Sequence, residues 1–113
     1  MADYWLRAVN CEQIQFPLHI FRLKKHMAGH FEHETALLTE SGGTLCQCHR
    51  HEHQELLELC DHLFALHESD WRQTRALLRG KFVRLVRRHV ANMDLAAVLF
   101  INTSGTKGAI SAL

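Results

Sequence analysis

FPLHIFRLKKHMAGHFEHETALL, residues 16–38, decides the fold. Its apolar residues Phe16, Ile20, Leu23, Met27 and Leu38 recur at helical steps of three and four, so they share one face of a helix. Pro17 falls in the first turn, where a missing N–H does no harm. Ser41-Gly42-Gly43 supplies the stop, and the spacing predicts a helix over 13–39. Two members of the same stripe are not apolar: His30 and Glu34 stand where leucine is expected.

The pattern repeats downstream. His49, His53, Leu56, Cys60 and Leu63, with Leu57 and Phe64 alongside, predict a second helix over 45–67. Glu68-Ser69-Asp70 breaks it, and Ser69 or Asp70 is placed to cap the next helix. Leu78, Phe82, Leu85 and His89 mark a third helix over 71–101, slightly weakened by Gly80. Residues 102–113 read as a flexible tail. No strand alternation, internal repeat or linker interrupts this pattern, so the expectation is a single all-α domain over 1–113.

Composition agrees. With 113 residues, 47% of them hydrophobic and one proline, the chain builds one core and is not disordered. A net charge of +1 excludes charge-driven nucleic-acid binding. The start shows no secretory signal, and the longest apolar run, Leu95–Ile101, is too short to span a bilayer. A soluble, cytoplasmic protein without a membrane partner is expected. In that compartment Cys11, Cys46, Cys48 and Cys60 are expected as thiols. Cys46-x-Cys48-His49 lacks the ligand spacing of a structural zinc site. No nucleophile has a visible orienting partner, so the chain does not read as an enzyme.

Ten histidines are too many for chance placement. His19, His33, His51, His62 and His67 lie off or beside the stripes and read as surface imidazoles. His30, Glu34, His49, His53 and His89 lie on the stripes, where a buried polar group needs partners. His30 and Glu34 are four apart, as are His49 and His53, which puts each pair on one helix face. Imidazole with carboxylate suits iron, manganese or zinc. Asp94 lies five residues after His89, a rotation of about 140°, so joint ligation requires a π-type turn between them.

Three motifs in this order, H-x-x-x-E at His30–Glu34, H-x-x-x-H at His49–His53 and H-x-x-x-x-D at His89–Asp94, resemble the hemerythrins over residues 16–101. Phe31 and Glu52 add local agreement. The long gap from His53 to His89 resembles the bacterial members. The resemblance implies an antiparallel up-down helix bundle around a non-haem diiron centre with an oxo or hydroxo bridge. His49, His53 and His89 would bind one iron, His30 the other, and Glu34 and Asp94 would bridge. It implies reversible binding of dioxygen, for storage, delivery, sensing or scavenging, or of another small diatomic ligand.

The family also carries a first helix with its own histidine, farther upstream of the first motif than Met1 stands, and residues 1–12 are too short to replace it. The bundle then has three main helices in this chain. Three resolutions stay open: a second iron that is weak or absent, a bundle completed by a homodimer, or His26 supplying a ligand one turn before His30. The competing readings are a helical regulatory or interaction module with a mononuclear iron or zinc site that is mainly structural, and a metal-free dimer whose inner histidines are hydrogen-bonded.

Overall fold

The computed structural model describes residues 2–40, 42–43 and 47–104, with side chains up to Asn92. Among these residues the regular structure is all helical, with no strand. The helices are α1 (Ala2–Asn10), α2 (Phe16–Glu40), α3 (Gln47–Leu66), α4 (Trp71–Arg79) and α5 (Lys81–Ser104), with a 3-10 turn at Gln13–Gln15 leading into α2. None is long and apolar enough to cross a membrane.

Local signals set the boundaries. α2 ends in a Schellman motif: Gly42, with φ of 85°, donates from its N–H to the Thr39 carbonyl at 3.0 Å, and Gly43 donates to Leu38 at 2.8 Å. Glycine is required there because the left-handed region penalises a Cβ. Asp70 caps α4, its carboxylate accepting from the Gln73 N–H at 3.0 Å.

The expected third helix is two segments. Gly80 separates α4 from α5 and holds the backbone at φ −104°, ψ −81°, away from the helical well. A Cβ at Gly80 would stand 3.2 Å from the Ala76 carbonyl oxygen, closer than side chains ordinarily approach. The glycine therefore breaks the helix where the sequence suggested only a weakening. The expected tail is also shorter, because α5 continues through Ser104; residues 105–113 lie outside those described.

The core is built from the predicted stripes. Phe16, Leu23 and Met27 of α2, Leu56 and Leu63 of α3, Leu78 of α4 and Phe82 of α5 are buried almost completely. Each such side chain contributes on the order of 1.5–3 kcal/mol. The stripes of α2, α3 and α5 run on past this core, which carries their polar members into the interior.

Further features depart from the expectations. Residues 2–10 form a helix of their own, α1, although it contains no histidine. Ala8 and Val9 are buried, and the Trp5 indole N–H donates to the Leu78 carbonyl at 3.0 Å. These contacts hold a segment too short to be helical alone. His67, expected at the surface, is buried: its Nδ1–H donates to the Phe64 carbonyl, and Phe16 packs against its ring. Cys11 and Cys60 are free thiols, as expected, and burial pushes Cys60 up to about 12. Cys48 departs from that expectation and is disulfide-bonded.

Candidate metal centre

Glu34 on α2, His53 on α3 and His89 on α5 converge in the interior. Glu34 is 3% exposed and His89 is fully buried. One oxygen of Glu34, Oε2, lies 3.1 Å from His53 Nε2 and 3.1 Å from His89 Nε2. The three ligand atoms lie within 4.8 Å of one another, so this group is able to hold a metal ion. Neighbouring donors keep about 3 Å apart around an ion with bonds of about 2.1 Å meeting near a right angle, and the two Glu34–histidine separations match that spacing.

The supporting shell is also charged. His89 Nδ1 donates to Glu52 Oε1 at 3.3 Å. Glu52 Oε2 in turn accepts from Asn92 Nδ2 at 2.8 Å and lies 3.3 Å from Arg88 Nε. Arg88 also reaches Glu55, at 2.6 Å. This chain fixes the His89 ring and turns Nε2 toward Glu34, the arrangement by which second partners orient a metal-binding histidine. Phe31 completes the wall: its ring stacks on His53 at 3.9 Å and 7°, and meets His89 edge-on at 5.4 Å.

These contacts act on the protonation. His89 faces a carboxylate at each ring nitrogen, which favours its protonated form. Burial opposes that charge on His89, but the hydrogen bonds and charges of Glu34 and Glu52 outweigh it and raise its pKa. For Glu34, burial alone would push the carboxyl up. The hydrogen bonds from His53 and His89, with their charge, prevail and hold it at about 2.

The other predicted residues are placed differently. His49 is buried one turn before His53, its ring edge-on to His89 at 6.4 Å between centroids, and burial lowers its pKa. It adjoins the three-residue group without belonging to it. His30 faces the other way along α2 and pairs with His26, Nε2 to Nε2 at 2.9 Å. Tyr4 of α1 stacks on His26 at 4.5 Å. The Asp94 side chain lies outside the described residues. The π-type turn that its shared ligation with His89 requires is not there: the backbone is regular α-helix from 89 to 94.

Glu52 is the residue that sequence reasoning used only as local context and that the structure makes central. Its signal was its register: it lies three residues after His49 and four before Leu56, on the buried face of α3.

No family model, curated protein or solved structure matches this chain.

Proposed function

We propose that this chain is a hemerythrin-like protein that holds one non-haem iron at Glu34, His53 and His89, with His49 beside them, and binds dioxygen or another small diatomic molecule. The observation that carries the reading is one buried carboxylate oxygen facing two imidazole nitrogens, each 3.1 Å away. Two histidines with one carboxylate is a donor set suited to iron(II) with coordination positions left open. Iron held there would supply reversible one-electron chemistry toward a diatomic ligand.

The chain's own residues do the rest. Glu52 keeps a proton on His89 Nδ1 and frees Nε2 as a donor once its proton leaves. The Phe31 ring shields His53 from water. A cleft of about 490 Å³ between α2 and α3, lined by Ala28, Phe31, Thr35, His53 and Leu57 among others, gives a small molecule a route to the His53 side.

The order of side-chain pairs supports an antiparallel bundle. Lys24 meets Asp61 while Glu34, farther along α2, meets His53, earlier on α3. A diiron centre would need His30, and His26 with it, to turn from their mutual contact toward Glu34. The exposed Leu18, Phe21 and Phe64, which flank a cleft of about 580 Å³ on α2 and α3, fit the proposed homodimer.

The second reading is a structural zinc, favoured by the same buried set, because two imidazoles and a carboxylate also suit that ion. Metal analysis of the purified protein, with optical spectra in air and after reduction, separates the readings. One iron per chain and a spectrum that changes reversibly with oxygen supports the proposal. Zinc with a silent spectrum supports the structural reading. Two coupled irons restores the diiron centre, and no retained metal refutes all three.

A further inference from the structure

A third cleft, of about 800 Å³, lies between α1 and α2. Tyr4 and Arg7 line it from α1, and Arg22, Lys25, His26, Gly29, His30 and His33 line it from α2. The α2 residues are spaced at steps of three and one, so they form a second stripe on that helix, separate from the one carrying the core and Glu34. No residue is shared with the Glu34–His53–His89 group.

The lining is one-sided in charge. Among the described residues it holds two arginines, a lysine and three histidines, and no acid. The whole chain carries a net charge of only +1, so this concentration is local. A concave surface lined by one sign focuses the field and gathers counter-ions of the opposite sign. Arginine's planar fork matches phosphoryl oxygens in pairs.

Gly29 is the second observation. Glycine is the poorest helix former after proline, yet it stands in the middle of the 25-residue α2. A Cβ built there meets nothing within 4 Å. No neighbour's packing demands the glycine; its lack of a side chain keeps the floor of the cleft open beside the His26–His30 pair.

We propose that this cleft binds a small phosphorylated molecule, its phosphoryl oxygens held by Arg7, Arg22 and Lys25 over a floor of Gly29, His26 and His30. Concavity favours a small ligand over a membrane surface or a nucleic-acid strand, and the volume lies within the range of small-molecule sites.

Isothermal titration calorimetry with inorganic phosphate, pyrophosphate and AMP tests this on the metal-loaded chain. The expected result is saturable binding at one molecule per chain, weakened roughly tenfold in Arg22→Gln and in Arg7→Gln. Tighter binding of AMP than of inorganic phosphate identifies an organic ester as the ligand type, and the reverse order identifies the free anion. Gly29→Leu fills the open space with a better helix former, so binding is lost while the melting temperature and the metal content hold. Absence of saturable binding to all three probes at millimolar concentration overturns the proposal. So does unchanged pyrophosphate binding in Gly29→Leu. Anionic vesicles that bind the chain while the small probes do not overturn it in favour of a membrane surface.

Discussion

Glu34→Gln keeps the shape of the side chain and removes its charge, which isolates the electrostatic part of the site. In the metal-free chain, a carboxyl of ordinary value 4.5 held at about 2 corresponds to about 3 kcal/mol of stabilisation, at roughly 1.4 kcal/mol per pH unit. The group is 3% exposed, so solvent screening removes little of this. The Glu34 contribution is full above 4.5 and is lost as the pH falls toward 2. The His89 side runs the other way. Its pKa is raised above 6.5, so its contribution is full below 6.5 and fades as the pH rises through its folded value. Wild type should therefore exceed Glu34→Gln by up to about 3 kcal/mol in the window between 4.5 and 6.5, with the gap narrowing on both sides. Urea unfolding in the presence of a chelator, at about pH 5.5 and again at about pH 9, measures it. A gap below about 0.5 kcal/mol at the lower pH would refute the buried pair. So would a gap that does not shrink at the higher pH.

Metal binding should be proton-linked, because the ion replaces the proton on His89 Nε2. Affinity is expected to fall about tenfold per pH unit below the folded His89 value, read by competition with a chromophoric chelator, and a flat profile would contradict the assignment. His67→Ala should cost about 1–3 kcal/mol by emptying a buried, hydrogen-bonded position, yet leave metal content unchanged, as measured by thermal unfolding alongside elemental analysis. Loss of metal in that variant would tie His67 to the site.

The periodic signals proved legible where both neighbours and register were local. Phe16 to Leu38 and His49 to Leu63 give buried faces directly, because each position's burial is set by the turn it occupies. Glu34, His53 and His89 were legible as polar interruptions of those faces. Three features needed contacts between distant segments. α1 holds because Trp5 reaches Leu78, seventy-three positions away, and no local pattern reports that. His67 is buried because Phe16 packs on it and Gln13 donates to its carbonyl at 2.8 Å. His30 and Glu34 share a spacing that permits joint ligation, but a helix face is wide enough for neighbours four apart to choose different partners. His30 is taken by His26, on which Tyr4 stacks, and Glu34 by α3 and α5. Gly80 shows the same limit in the backbone: the sequence predicts a weak point, and the structure shows a break there, with the backbone at φ −104°, ψ −81° and little room for a Cβ beside the Ala76 carbonyl.

These partnerships also determine where the site lies. Glu34, His53 and His89 come from α2, α3 and α5, and the group that orients His89 comes from α3 and α5 alone. α1 contributes to none of it; it packs on α2 and α4, and its Tyr4 meets His26 instead. A first helix bearing a histidine is therefore unnecessary to assemble this ligand set. What such a helix would add is a partner for His30, the position that here is satisfied by another imidazole of α2. The His26–His30 pair thus closes the side of α2 on which a second metal would have to be built. Around Glu34 it leaves two imidazoles, His53 and His89, with Glu52 on the far nitrogen of the His89 ring, and one balance to settle, between a proton and an ion at His89 Nε2.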